Sequence, residues 1–260
     1  MQKDSILNII LVGIGLCTIC GAVISTVAVS LKDQQEQNVI FDQQSKIIDA
    51  ARLLEFYPSS IEALESIKEV IVDLNDGQPS DYPSDQYDLD TILRDSSQHK
   101  VLNGADDIAM ISLRENISKV FIEYRNNEFK TLILPVRGYG LWGTLYGYLA
   151  LDSDLNTIVG LEFYKHKETP GLGAEVDNPN WKKLWNGKKV YDENGLVQIE
   201  VIKGFSNPGS EEYSYEVDGL SGATITSKGV SNLLAFWLGD EGFGPFINNL
   251  KNKEIKLSDV

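Results

Sequence analysis

The apolar run near the amino terminus constrains the fold more than any other stretch. Residues 6–31 contain no charged side chain and lie between Lys3-Asp4 and Lys32-Asp33. As a helix this run would span about 39 Å against a hydrocarbon core of about 30 Å, so it predicts a tilted transmembrane helix. Residues 28–30 also fit a signal-peptide cleavage site, but the run is longer than the usual apolar region of about 7–15 residues. We therefore predict an uncleaved membrane anchor over residues 1–33.

The charges at the two ends of the anchor indicate its orientation. The free amino terminus and Lys3 lie on one side, whereas Lys32 on the other side is followed at once by Asp33. This asymmetry favours a cytoplasmic amino end and an external soluble domain.

Composition limits what the soluble part can do. The chain has a net charge of −15, which argues against a nucleic-acid partner because phosphate-backbone affinity comes from Lys/Arg patches. Both cysteines, Cys17 and Cys20, lie inside the anchor, so disulfides cannot stabilise the rest of the chain. That remainder is long enough for one core with a small accessory lobe.

Residues 34–115 are predicted to form a helical, membrane-proximal region that packs on the main domain. Apolar side chains at helical spacing indicate one amphipathic helix over residues 34–57. A second helix is expected to start at Ser59 and Glu62, whose spacing is that of a capping box, and to continue through Ile71 until Gly77 and Pro79 end it.

The main domain is predicted over residues 116–250, followed by a tail over residues 251–260. Strand-like runs at 120–124 and 129–134 flank Asn126-Asn127, which favours a tight hairpin. Further strands are expected at 145–151, 158–164, 197–202 and 213–217, with a helix over 230–238. The prediction is an α+β fold, a single transmembrane helix followed by a mixed or antiparallel sheet with flanking helices.

Residues 218–227, DGLSGATITS, join a predicted strand to a predicted helix. Gly222 permits close approach of a ligand to the backbone, and Ser221 and Thr224 present hydroxyl groups. Unpaired N–H groups at a helix start stabilise an anion such as phosphate. An ordinary strand-turn-helix cap explains the same residues equally well.

Two further loops are candidates for ligand contact. The first is HKETPGLGAE over residues 166–175, where His166 and Glu168 are candidates for an acid-base pair, although a histidine beside a turn is more often structural. The second is the Gly-aromatic loop around Trp142, which suits a flat ring but is also typical of plain β turns.

These motifs together resemble a known family. SGAT at 221–224 after Asp218, ETPGLG at 168–173, the anchor and the ending at 233–246 are similar to the FMN-binding domain whose flavin is covalent. In particular they resemble the C subunits of Na⁺-translocating NADH:quinone reductases and the related G subunits of ion-pumping ferredoxin:NAD oxidoreductases. The resemblance covers the anchor and most of residues 119–246.

The resemblance implies a cofactor, FMN, joined through its phosphate to Thr224. No His or Lys stands directly beside that threonine, which argues against self-attachment. The family instead implies a Mg²⁺-dependent flavin transferase that takes FMN from FAD. The cofactor-binding residues expected on this basis are Thr224, Asp218, Ser221, Gly222, Ala223, Lys203, Thr169, Leu172, Gly173, Glu168 and Trp142; Lys228 is an alternative to Lys203 at the phosphate.

The implied function is electron transfer, with the flavin as the redox group. The only G-x-G-x-x-G run, GYGLWG at 138–143, lies between two predicted strands and does not lead from a strand into a helix as a Rossmann fingerprint does, so hydride entry and quinone reduction are assigned to partner subunits. We expect no catalytic side chain and no metal site here, and a location in the bacterial inner membrane with the domain on the periplasmic side. The alternatives are a G-type subunit, or a non-redox membrane-tethered binding protein.

Overall fold

The computed structural model describes residues 6–255. Lys3-Asp4, expected to bound the anchor, and residues 256–260 of the expected tail lie outside the described residues. The chain divides into two compact units, Met1–Gln44 and Ser45–Val260.

A single long helix, α1 (Ile6–Ala50), begins in the first unit and ends in the second. Its apolar part is not buried, and the helix is long and apolar enough to cross a membrane. The helix predicted over residues 34–57 is confirmed up to Ala50, as a continuation of the anchor helix, and is wrong beyond it. The helix from the anchor continues without a break to Ala50 and stops where Arg52 adopts a left-handed φ of 52°.

The second unit is built around antiparallel strands. Its helices and strands are α2 (Ser60–Glu65), β1 (Ile67–Asp73), α3 (Leu89–Arg94), β2 (His99–Val101), β3 (Leu113–Glu115), β4 (Ile117–Arg125), β5 (Glu128–Tyr139), β6 (Thr144–Asp152), β7 (Ile158–Lys165), α4 (Pro179–Lys182), β8 (Glu200–Val201), β9 (Glu216–Val217), α5 (Thr224–Leu238) and α6 (Gly244–Lys251). Five strands form the main sheet in the order β1-β4-β5-β6-β7, every pair antiparallel. The short β8 and β9 pair in parallel. The predicted α+β class is confirmed.

The second predicted helix is right at its start and wrong in its length. Ser59 caps α2 by accepting a 3.3 Å hydrogen bond from the Glu62 amide, but the helix ends at Glu65. The next residues form β1, an edge strand in which Val70 lies opposite Val120 of β4. The β-branched run at 70–72 is buried in this sheet, and that pairing prevails over the helical spacing seen in the sequence.

The strands predicted around Asn126-Asn127 are confirmed. Both asparagines have left-handed backbones, with φ of 54° and 62°, as a two-residue hairpin turn requires. The two later strands are shorter than predicted. The run at 197–202 contributes only β8, and the run at 213–217 is a 3₁₀ turn leading into β9.

Hydrophobic side chains cover both faces of the sheet. One face carries the larger core, to which α5 contributes Trp237, α6 contributes Phe246 and the connection between them contributes Phe243. The opposite face packs against Ile47 and Ile48 in the last turns of α1. Both cores belong to the second unit.

Close contact brings the middle of α5 beside the end of β5. A Cβ atom at Gly138 would overlap the Leu233 side chain, and one at Gly229 would overlap the Tyr139 carbonyl oxygen. Only glycine therefore permits α5 to approach the strand this closely. The loop between β5 and β6 consequently lies next to the first turn of α5.

Candidate functional site

The 218–227 segment leads from β9 into α5, and Thr224 is the first residue of that helix. Thr224 is exposed to solvent. Ala223 precedes the helix and offers no side-chain cap, so the first turn presents backbone N–H groups without that kind of partner. Gly222 provides the turn before it with a φ of 72°.

Hydrogen bonds fix this segment on both sides of the turn. The Asp218 carbonyl oxygen accepts from Trp181 Nε1 at 2.8 Å, and Asp218 Oδ1 accepts from the Ser206 amide at 2.8 Å and the Ser206 hydroxyl at 2.7 Å. The Leu220 amide donates to Ser227 Oγ at 3.0 Å. The segment is therefore held in one conformation while Thr224 stays accessible.

A neighbouring loop continues the parallel pairing of β8 and β9 beyond the strands. The Ile202 amide donates to the Val217 carbonyl at 2.9 Å, and the Gly219 amide donates to the Gly204 carbonyl at 2.8 Å. A Cβ atom at Gly219 would overlap the Ile202 carbonyl oxygen. Lys203 lies exposed in this loop, beside the 218–227 segment.

Glu168 is the buried centre of the site. Glu168 is only 6% exposed. Oε1 accepts from the backbone amides of Leu141 and Trp142, each at 2.9 Å, and Oε2 accepts from the Thr226 hydroxyl at 2.6 Å. One carboxylate thus joins the β5–β6 loop, the turn after β7 and the first turn of α5.

Two glycines make room for this carboxylate. A Cβ atom at Gly140 would lie 2.6 Å from Glu168 Oε1, and one at Gly173 would overlap both Glu168 Oε2 and the Thr226 hydroxyl. The glycine of ETPGLG that was expected to admit a ligand is thus needed to admit a buried side chain.

His166 does not meet the Glu168 carboxylate as an acid-base pair would require. Its Nδ1 accepts from the Glu168 amide at 3.2 Å, which places the ring proton on Nε2, 2.7 Å from Asp177 Oδ2. His166 therefore supports the backbone of the turn, in the structural role typical of a histidine beside a turn.

Exposed apolar side chains lie on the three segments that Glu168 joins. Trp142 is 62% exposed, Ile225 58% and Leu172 45%. A Cβ atom at Gly222 would lie 3.0 Å from Leu172 Cδ2, so Leu172 reaches the turn that precedes Thr224. Such large exposed groups around a polar turn are typical of a binding surface.

The expected site residues divide into two groups. Those at or beside the surface are Thr224, Asp218, Ser221, Gly222, Thr169, Leu172, Trp142 and Lys203, whereas Glu168, Gly173 and Ala223 are buried. Lys228 is exposed and follows Thr224 by one helical turn, so the two side chains share a face of α5.

Four residues hold the site together: Thr226, Ser227, Ser206 and Trp181. Sequence reasoning assigned no site role to Ser206 and Trp181, and it did not predict the buried contacts of Thr226 and Ser227. The TS pair after SGAT was visible as part of the motif, but its inward direction was not. For Ser206 and Trp181 the chain carries no local signal, because their partner Asp218 lies 12 and 37 residues away.

Fold and site define a domain of the FMN-binding class. The family model described as "FMN-binding domain" matches residues 140–239, which include the β5–β6 loop, the turn after β7 and the 218–227 segment. Full-length relatives narrow this further, and the chain belongs to the family of C subunits of Na⁺-translocating NADH-quinone reductases.

The similarity extends over the whole chain. The C subunit of the Pseudomonas aeruginosa reductase is 44% identical over 258 residues, covering 97% of this chain and 99% of that protein. The C subunit of the Vibrio alginolyticus reductase is 39% identical, covering 98% of both. Among solved structures, Shewanella oneidensis NqrC has a TM-score of 0.73 at 33% identity over 80% of this chain and 96% of its own. The C subunit from Parabacteroides distasonis has a TM-score of 0.63 at 30% identity over 84% and 96%.

Proposed function

We propose that this chain carries one FMN joined through its phosphate to Thr224 Oγ1, and that it relays electrons within a Na⁺-translocating NADH:quinone oxidoreductase. The observation that carries the proposal is an exposed threonine at the uncapped start of a 15-residue helix, inside the region matched by the FMN-binding family.

The residues present suit a phosphate at this position. The first N–H groups of α5 and the positive end of its dipole stabilise negative charge. Ser221 adds an exposed hydroxyl, and Gly222 leaves the backbone of the turn accessible. Lys228 or Lys203 would supply a cation, and Lys228 is favoured because helical spacing brings it to the same face as Thr224.

The neighbouring surface suits a flat ring. Leu172 and Trp142 provide exposed apolar area on two loops that meet at Glu168, and Thr169 lies exposed on the same turn as Leu172. We propose these three as ring contacts. Gly173 and Glu168 would act from below this surface, since both are buried.

Attachment requires a partner enzyme. In the proposed step the Thr224 hydroxyl forms a P–O bond to the FMN phosphorus of FAD, the pyrophosphate bond breaks, AMP leaves and the hydroxyl proton is released. A Mg²⁺-dependent flavin transferase would neutralise the phosphates and accept that proton. Asp218 would help it recognise the segment.

The remaining assignments follow from the family and the anchor. Residues 6–31 would cross the bacterial inner membrane in contact with lipid, with the domain on the periplasmic side. Relatives are named as the C subunit of the reductase, which implies other subunits. Those subunits would bind NADH and quinone, and the flavin of this chain would supply one-electron and two-electron chemistry between them.

The test is coexpression of the full chain with a flavin transferase, followed by mass spectrometry of the purified protein. We expect one FMN per chain, located on the peptide that contains Thr224, and a fluorescent band on a denaturing gel. Thr224→Ala should lose both signals.

Thr224→Ser is the matched control, because serine keeps a hydroxyl at the same exposed position and should keep the covalent flavin. A flavin that dissociates on denaturation, or one that remains in Thr224→Ala, would overturn the attachment. A colourless chain after coexpression would favour a non-redox binding protein.

A further inference from the structure

Glu168 differs from an ordinary buried carboxylate in the charge of its partners. Its two oxygens accept three hydrogen bonds, from the amides of Leu141 and Trp142 and from the Thr226 hydroxyl, and all three donors are neutral. A carboxylate ion accepts all three without needing a proton of its own. These partners stabilise the negative charge without cancelling it.

We propose that Glu168 is a positioning residue for the flavin site, and that its fixed negative charge makes the attached flavin harder to reduce. The proposal rests on the FMN attachment at Thr224 proposed above. It gives Glu168 a role through the loops that it holds and through its charge, without contact with the ring.

The positioning half of the proposal follows from the three segments that the Glu168 carboxylate connects. Trp142 lies on the β5–β6 loop, Leu172 on the turn after β7, and Thr224 at the start of α5. Glu168 belongs to the second of these and bonds directly to the other two. Loss of either set of bonds would therefore move the ring contacts relative to the attachment point.

The glycines support the same conclusion. Backbone at Gly140 and Gly173 packs so closely on the carboxylate that a methyl group at either position would collide with it. Two loops that pack without side chains against this carboxylate, together with the Thr226 hydroxyl, leave it little freedom to move. The charge is therefore held at a fixed place directly under the ring-contact surface.

The electrostatic half follows from burial. Charges interact more strongly in a protein interior than in water, because the effective dielectric constant is lower. Reduction adds negative charge to a flavin, and a protein tunes this cofactor through nearby charges and hydrogen bonds. A fixed negative charge beneath the ring surface therefore opposes electron gain.

Three variants of the full chain, each coexpressed with the transferase, separate the two effects. Glu168→Gln removes the charge but keeps an acceptor for the two amides and a group that bonds to Thr226. Thr226→Val keeps the charge and removes one hydrogen bond. Thr226→Ser keeps both and serves as the matched control.

The first measurement is the mass of each protein, which establishes covalent FMN in the unsubstituted chain before anything else is compared. Visible circular dichroism of the flavin then reports its surroundings, and a spectroelectrochemical titration at fixed pH gives its midpoint potential. A chain without covalent FMN would sink the attachment proposal, and that result is distinct from any result on the potential.

We expect Glu168→Gln to shift the midpoint potential to a more positive value. Thr226→Val should change the circular dichroism of the flavin without a positive shift of the potential, and Thr226→Ser should restore the original spectrum. An unchanged or more negative potential in Glu168→Gln would overturn the electrostatic half, as would an equal positive shift in Thr226→Val.

If Glu168→Gln does not fold, the variants Thr226→Val and Thr226→Ser still test the positioning half of the proposal. A flavin spectrum in Thr226→Val identical to that of the unsubstituted chain would overturn the positioning half. A changed spectrum that Thr226→Ser fails to restore would do the same.

Discussion

Glu162 and Glu168 lie in the second half of β7 and just after it, and both are almost fully buried, at 8% and 6% exposure. Their partners differ. Glu162 Oε2 pairs with Lys182 at 2.7 Å and with Lys46, near the end of α1, at 3.3 Å. Glu168 instead accepts hydrogen bonds from two backbone amides and one hydroxyl. Similar burial therefore accompanies two different electrostatic states.

The difference in partners distinguishes a carboxylate that holds parts of the fold together from one proposed to affect a bound flavin. At Glu162 two ammonium groups cancel the charge, and the pairs tie residue 46 and α4 to the sheet. At Glu168 neutral donors fix the geometry and leave a net charge in place, beside the surface proposed to hold the flavin. The charge of its hydrogen-bond partners, more than its burial, indicates whether a buried carboxylate stabilises the fold or acts electrostatically on a bound group.

The largest expected effect is that of Glu168→Ala. The substitution leaves three donors without their acceptor in a buried site, at about 1–3 kcal/mol for each unsatisfied group, so we expect a loss of roughly 3 kcal/mol or more. Urea unfolding of the flavin-free full chain in detergent, followed by tryptophan fluorescence, measures it. Glu162→Ala is the comparison, and equal losses at the two positions would contradict the distinction between the two carboxylates.

Thr226→Val should have the next largest effect. Valine keeps the volume of threonine but removes the hydroxyl, so Glu168 Oε2 loses the 2.6 Å hydrogen bond that it accepts. The expected loss is about 1–2 kcal/mol in the same unfolding measurement, because a hydrogen bond to a charged group is stronger than a neutral one. Thr226→Ser should lose less, and a valine variant as stable as the serine variant would refute the role of the hydroxyl.

Glu162→Gln should cost about 1 kcal/mol, since both lysines are partly exposed and reach water when their partner is neutral. Screening of the ion pairs by salt provides a control for this prediction. The difference in unfolding free energy between the unsubstituted chain and Glu162→Gln should shrink in high salt, whereas the loss in Thr226→Val should not. Equal salt dependence would mean that the two sites are electrostatically alike.

The smallest effect is expected at alkaline pH. Burial disfavours the charged form of Lys46, but attraction to Glu162 and the hydrogen bond between them outweigh it, so the pKa of Lys46 lies above its ordinary value of 10.5. The stability contributed by this shift is complete below that ordinary value and is lost as the pH rises through the raised pKa of the folded chain. Unfolding curves between about pH 9 and 12 should therefore bring the unsubstituted chain closer to Glu162→Gln, and a constant gap would show that the pair is not responsible.

Local chemistry accounts for what the sequence made predictable. Asparagine tolerance of left-handed backbone located the hairpin at 126–127, and the hydroxyl of Ser59 located the start of α2. The SGAT motif also marked the start of α5 within a few residues. In each case the determining interaction lies inside a window of a few residues.

Interactions between residues that are distant in the chain account for the features that the sequence did not make predictable. β1 reads as helix by spacing, and only its pairing with β4, some fifty residues later, makes it a strand. The sequence singled out ETPGLG, but it did not reveal which way the Glu168 side chain points. The direction of the Glu168 side chain depends on Leu141, Trp142 and Thr226, and no local pattern reveals those partners.

The contact between Glu168 and Thr226 spans 58 residues of chain, and this separation bears on how long the site survives once it is built. Closing so large a loop is entropically costly, so we expect the contact to form after the folding transition state. Interactions that form late affect the unfolding rate more than the folding rate. The three loops would therefore assemble at an almost unchanged rate in Thr226→Val but come apart sooner, so this one hydroxyl acts on the lifetime of the site.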